Sequence, residues 1–260
     1  MPRLIVKTKA IVLRSWRMGE TSKLVTLYTD DCGKVKVTAK GARKPKSKFG
    51  AALELMSEVE AVFYFRLERD LQTLSECDVL RSFPRLVDHL ERLSFASAAC
   101  ELIDHLTIEH EANKRLYGYL AGVLGALEEV DLEQVEALFW YFQLRLAEVL
   151  GYRPELSHCV SCRKVLEGEW VFFDPAAGGG LCEVCGRPAG NRVAADSLGF
   201  LAHLQSLKAY RKEAIPATPL RRPEIRLMLR RFLEYHAGER DRLKSLEFLE
   251  AIAKTAEPAH

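Results

Sequence analysis

Apolar and polar positions alternate along the first eighty residues. Ile5 to Leu13, Ser22 to Thr29 and Gly33 to Lys40 are short runs rich in Val, Ile, Leu and Thr, separated by the turn-forming stretches Met18-Gly19-Glu20 and Asp30-Asp31-Cys32-Gly33. The spacing predicts consecutive antiparallel strands. In the third run Val35, Val37 and Ala39 alternate with Lys34, Lys36, Thr38 and Lys40, so one face is suited to a core while the other presents ammonium groups as a candidate binding surface. Val59 to Arg66 and Leu71 to Leu80 bring the count to five strands in about 80 residues, which predicts a small closed barrel of the OB kind.

After Ser82 the period changes to that of helices. Pro84 fits a first helical turn, and Leu86, Leu90, Leu93, Cys100 and Ile103 follow at approximate helical spacing. Leu116, Tyr119, Leu120, Val123, Leu124 and Leu127 form a second stripe. A third helix is expected from Asp131, capped reciprocally with Gln134, with Val135, Leu138, Phe139, Phe142 and Leu146 facing inward. A last stripe runs through Ile225, Met228, Leu229, Phe232, Leu233 and His236, the histidine read as a core-edge residue. The expected class is therefore α+β and multidomain: an OB barrel over 1–81, then a helical domain over 82–260.

Composition narrows the class. Of 260 residues, 48% are hydrophobic and 28% charged, the usage of a globular chain rather than a disordered one. The longest apolar run, Ala137 to Phe142, is far short of the roughly 18 residues of a membrane span, and the start of the chain lacks the apolar core of a signal peptide. A cytoplasmic protein is expected.

Charge changes the picture more. The formal total of +2 conceals a division at Gly50: thirteen Lys or Arg face three carboxylates before it, a balance of +10, while 25 basic and 33 acidic residues after it give −8. A cationic first fifth points to a polyanionic partner, nucleic acid above all. The densest stretch is Lys40-Gly41-Ala42-Arg43-Lys44-Pro45-Lys46-Ser47-Lys48-Phe49, whose Gly and Pro predict a loop. Lys34, Lys36, Lys40, Arg43, Lys44, Lys46 and Lys48 are the expected phosphate contacts, with Phe49 or Trp16 available to stack on a base. Arg222, Arg226 and Arg230, four residues apart, form a candidate secondary basic surface.

The cysteines carry the most specific spacing. Cys159-Val160-Ser161-Cys162 and Cys182-Glu183-Val184-Cys185 are CxxC pairs nineteen residues apart, a spacing that brings four thiolates to one tetrahedral Zn²⁺. Trp170 to Phe173 and Gly178 to Gly180 read as a hairpin joining them in a zinc finger inserted at about 157–190, with Gly186 supplying a permissive backbone after the second pair. Such a module has little core, so metal would supply much of its folding free energy, on the order of 10 kcal/mol. Four thiolates leave no open position, making the zinc structural. An iron–sulfur cluster is the chemical alternative; a thioredoxin-like redox pair lacks its βαβ setting here. Cys32, Cys77 and Cys100 read as small buried hydrophobes.

No P-loop, dinucleotide fingerprint, nucleophile elbow or HExxH is present, so no enzyme activity is expected. A zinc-containing OB-fold RNA-binding protein and a non-catalytic protein adaptor are the alternatives that fit the same features.

The order of parts resembles a known family. Gly41-Ala42-Arg43-Lys44 in a basic barrel, Leu150-Gly151-Tyr152-Arg153-Pro154 ahead of the CxxC pairs, and the terminal Leu243-Lys244-Ser245-Leu246-Glu247-Phe248-Leu249 are similar to the bacterial recombination mediator family RecO. The resemblance implies an OB-fold domain, a helical domain with a zinc-finger insertion, and binding of single- and double-stranded DNA. It further implies annealing of complementary strands, partnership with RecR and single-strand-binding protein in loading RecA, and a nucleoid-associated location.

Overall fold

The computed structural model describes residues 4–186, 191–238, 243–248 and 251. The end of the expected finger span, 187–190, and Leu249 of the terminal motif lie outside the described residues. The chain divides into two compact units, one formed by the first 128 residues with the segment from Leu243 onward, the other by Glu129–Arg242.

In the first unit five strands close into a barrel of order β1-β2-β3-β5-β4: β1 (Leu4–Met18), β2 (Ser22–Thr29), β3 (Gly33–Ala39), β4 (Glu58–Phe65) and β5 (Leu71–Arg81). All pairings are antiparallel except β3 with β5, which run parallel over Lys36 to Thr38. This is the OB topology expected from the strand count. β1 is long because it serves two neighbours, pairing through Leu4 to Ile11 with β4 and through Ala10 to Met18 with β2. A register shift between Val12 and Arg14 bends it around the barrel. The alternating residues Ala10, Val12, Val25, Leu27, Val35, Val37, Val59, Ala61 and Phe63 fill the interior.

α1 (Pro84–Val87) begins with its proline in the first turn, where a missing N–H costs nothing. The helix then breaks, and α2 (Leu90–Leu106) starts afresh. The expected continuous stripe from Leu86 to Ile103 is thereby corrected: Leu90 is exposed, and the buried face is Phe95, Ala96, Ala99, Cys100, Leu102 and Ile103, its small residues Ala96, Ala99 and Cys100 permitting close approach. In α3 (Lys114–Glu129) Tyr117 rather than Tyr119 belongs to the buried face, its hydroxyl donating to Glu58 Oε1 at 2.9 Å. A helical turn over 244–248 returns to this unit, with Ser245 Oγ donating to Glu101 Oε1 at 2.8 Å.

The second unit is organised around α4 (Val135–Val149). Its entry is the expected reciprocal cap: the Asp131 N–H donates to Gln134 Oε1 at 3.1 Å, ahead of a 3₁₀ turn at Leu132–Gln134. Thirteen of its residues are buried, so α4 is surrounded on all sides, which its near-continuous apolar sequence foreshadows. Around it lie β6 (Trp170–Asp174), β7 (Gly179–Leu181), α5 (Glu183–Gly186), β8 (Asn191–Ala194), α6 (Ala195–Ser206) and α7 (Arg222–Ala237). The three strands form a sheet of order β7-β6-β8. Ile225, Met228, Leu229, Phe232 and Leu233 of α7 are buried as the periodicity predicts. His236 stacks on Tyr152 and donates through Nε2 to the Pro175 carbonyl at 2.7 Å, a core-edge role. Among the described residues no helix is long and apolar enough to cross a membrane.

Candidate nucleic-acid interface and metal centre

The outward face of β1, β2 and β3 is the surface that OB barrels offer to oligonucleotides. Register fixes its membership: Trp16 opposes Leu24, which opposes Thr38, and Met18 opposes Ser22; at the other end Ile11 opposes Tyr28, which opposes Lys34. The two ends differ in fate. At the Lys34 end the tail of α2 and the loop after it lie on the strands. Lys34 is 8% exposed, donates to the Asp104 carbonyl and has the Asp104 carboxylate at 3.6 Å; Arg14 Nε meets the same carboxylate at 2.6 Å. Lys36 Nζ meets Glu109 Oε1 at 2.5 Å, and the His110 N–H donates to the Lys34 carbonyl at 3.1 Å. Gly33 is required here, because a Cβ would stand 2.0 Å from the Glu111 carbonyl oxygen. The expected open row of lysines on β3 is therefore corrected: acids some seventy residues further along the chain occupy Lys34 and Lys36.

The other end is open. Met18, Gly19, Thr21, Ser22, Thr38, Lys40, Gly41 and Lys44 line a groove of about 620 Å³. Beside Met18 on the same face, Trp16 is 45% exposed, with the Arg14 guanidinium 5.5 Å from its ring centroid. Sequence reasoning singled out Trp16 but missed Met18, Thr21 and Ser22. The signal was the period of two from Trp16 together with the turn that follows.

The loop over 40–57 is folded tightly against the barrel. Phe49, Ala52, Leu53 and Met56 are buried, Phe49 at 3% exposure, so the expectation that Phe49 stacks on a base is overturned: its ring helps fill the barrel core. Arg43 is likewise reassigned. Its Nη1 donates to the Gly19 and Glu20 carbonyls at 2.8 and 2.9 Å, and its N–H donates to the Thr21 carbonyl at 2.9 Å. It ties the loop to the β1–β2 turn and fixes the groove's two walls. Lys40, Lys44, Lys46 and Lys48 are exposed and form no ion pair among the described residues; Lys48 Nζ lies 5.4 Å from the Phe49 ring centroid. These four are the cations that remain available from the seven expected.

The candidate secondary surface on α7 is also largely committed. Arg226 Nε pairs with Glu136 Oε1, Arg222 Nη1 lies 3.9 Å from Glu136 Oε2, and the Glu136 side chain is 5% exposed. Arg230 pairs with Glu234 one turn on, at 3.5 Å. Arg222 and Arg226 neutralise a buried carboxylate of α4, while Arg230 is held in an exposed pair one turn on.

The four cysteines of the two CxxC pairs converge. Their sulfurs all lie within 4.8 Å of one another, and Cys162 Sγ is 3.7 Å from Cys182 Sγ. A tetrahedral ion with Zn–S bonds near 2.3 Å requires sulfur–sulfur edges of about 3.8 Å, so the donor set fits zinc in geometry and chemistry. Each pair is a knuckle. Burial raises the Cys159 thiol, but the backbone N–H groups of Cys162, Cys182 and Ser161 outweigh it and hold the thiol down to about 6. Cys182 is lowered chiefly by the Cys185 N–H, whereas Cys185, a donor to Cys182, is pushed up to about 12. Four thiols so close cannot all ionise alone, and a divalent ion would relieve that repulsion. Gly186 serves space rather than backbone freedom: it closes α5 in a helical turn, where a Cβ would lie 2.4 Å from the Phe172 ring. Cys77 and Cys100 are buried apart from this cluster, and Cys32 is half-buried.

Comparison with known proteins agrees over nearly the whole chain. The family model for Recombination protein O, N terminal, matches residues 1–83, and that for Recombination protein O, C terminal, matches residues 88–247. A DNA repair protein RecO from Pelotomaculum thermopropionicum is 37% identical over 252 residues, covering 96% of this chain and 95% of that one. Those from Salinibacter ruber and Roseiflexus sp. are 36% and 34% identical, covering 90% and 98% of this chain and 88% and 89% of theirs.

Proposed function

Given that the chain belongs to the RecO family of DNA repair and recombination proteins, we propose that it is a non-catalytic mediator that binds single- and double-stranded DNA and anneals complementary strands. With RecR and single-strand-binding protein it would help RecA load on coated single strands. The observation that carries this reading is the open end of the barrel face. There Trp16 and Met18 offer a surface for a base, Lys40 and Lys44 line the groove, and Lys46 and Lys48 follow in the same exposed loop, none of the four in an ion pair among the described residues.

The physical mechanism needs no covalent step. Ammonium groups that screen phosphates allow two polyanions to share one surface, and the released counterions favour binding at low salt. Base stacking on Trp16 is indifferent to sequence, as an annealing protein requires. Zinc on Cys159, Cys162, Cys182 and Cys185 would supply the cross-link that the small sheet of the second unit lacks, with no position left for water.

The test is annealing of two complementary oligonucleotides at graded salt, with the intact protein and with Lys40, Lys44, Lys46 and Lys48 changed to Gln. Acceleration that is lost on neutralisation supports the reading. Equal rates with and without the four lysines would remove the loop from the mechanism, and preference for a matched RNA strand in competition would move the assignment to RNA.

A further inference from the structure

The sheet of the second unit has one face turned inward and one turned out. Val171, Phe173 and Val193 are buried, with Phe173 against Phe232 of α7 at a ring separation of 6.1 Å. Strand alternation sends Trp170, Phe172 and Arg192 to the other side; Phe172 opposes Arg192, and Trp170 opposes Ala194. Trp170 and Phe172 are half-buried there, the Phe172 ring beneath Gly186 of α5. The Arg192 guanidinium lies 4.7 Å from the Trp170 ring centroid, and that of Arg221, from the residue preceding α7, lies 5.5 Å from it.

Two guanidinium groups within 5.5 Å of one indole are attracted to its ring, and each can still offer N–H groups for bidentate contacts. Arg221 also has Asp196 Oδ2 at 3.5 Å, an exposed pair that a phosphate can displace. No ion pair of Arg192 exists among the described residues. Two arginines beside a half-buried indole on a sheet face match the chemistry of a polynucleotide strand, whose phosphates can pair with the guanidinium groups and whose bases can pack against the indole. An acidic peptide offers the charge but no stacking partner for the indole.

We propose that Arg192, Trp170 and Arg221 form a second single-strand binding site, distinct from the barrel groove. The inference rests on the reading of the chain as a nucleic-acid binder and extends it: an annealing protein with a site in each unit can hold a strand at each.

The test uses the full-length, metal-loaded protein and a labelled oligothymidylate of about 20 nucleotides. Arg192→Ala with Arg221→Ala should lower the slope of log K against log salt by about 1.4 and weaken binding about 25-fold at 0.1 M salt relative to 1 M, from roughly 0.7 per lost phosphate. Lysine at both positions should restore the slope. In a Trp16→Phe background, oligothymidylate should quench the emission of Trp170, since Trp140 is buried. That measurement needs neither arginine variant to fold. Unchanged affinity, slope and emission would overturn the proposal, as would loss of polyaspartate binding with oligothymidylate binding intact. Failure of the barrel reading looks different: the four-lysine variant keeps its slope while the arginine pair still lowers it.

Discussion

Removing the four unpaired lysines should separate charge that binds from charge that folds. Lys40, Lys44, Lys46 and Lys48 are exposed and make no ion pair among the described residues, so Gln at all four breaks no ion pair and costs only the exposed contact of Lys48 with the Phe49 ring. If each neutralises one phosphate, the slope of log K against log salt on single strands should fall by about 2.8. Between 50 and 200 mM salt the intact protein should then lose about 50-fold more affinity than the variant, because a fourfold change in salt is raised to that power. Fluorescence anisotropy of a labelled oligonucleotide over that range reads the slope directly. Lys34→Met provides the contrast. It removes one of the two cations on Asp104, leaving Arg14 at 2.6 Å, together with the bond to the Asp104 carbonyl, and should cost about 1.5 kcal/mol of stability in urea unfolding while leaving the slope alone. An undiminished slope in the four-lysine variant, or an equal drop from Lys34→Met, would refute this division of labour.

Chelation should release one zinc per chain and expose four thiols to a disulfide reagent, while barrel unfolding stays in place; retention of protected thiols after metal loss would contradict a metal-held module. Glu136→Gln leaves Arg226 facing a neutral amide in a buried seam and should destabilise the protein by about 2 kcal/mol in chemical denaturation, an effect absent from Glu234→Gln at the exposed pair. Burial pushes the Cys100 thiol up to about 12 from an ordinary 9, so the folded state holds its proton after the unfolded chain has released it. Stability should therefore fall as pH rises from about 9 towards 12, and Cys100→Ala should flatten that part of a stability–pH profile.

Period and spacing made much of this molecule legible. The five strands, the Asp131 cap, the buried stripe of α7 and the convergence of four cysteines all follow from local pattern, because alternation, capping and CxxC turns are decided within a few residues. The errors share a different cause. Whether Lys34 faces water depends on Asp104, and whether Arg226 is free depends on Glu136; neither partner is near in sequence. Phe49 was misplaced because a basic loop gives no local sign that one of its residues turns under the barrel. Trp170 was legible as strand, but its arginine neighbours come from β8 and from the start of α7, which only folding brings together.

The parallel contact between β3 and β5 is three residues long, yet it completes the ring of strands. Under the proposed function, copies bound side by side on one polynucleotide would reach a local concentration that favours pairing between unpaired backbone rims. Closure removes that rim over Lys36–Thr38 and Leu71–Thr73, whereas the stretch of β5 from Leu74 to Arg81 pairs with β4 alone and is where a neighbouring barrel would have to add a strand.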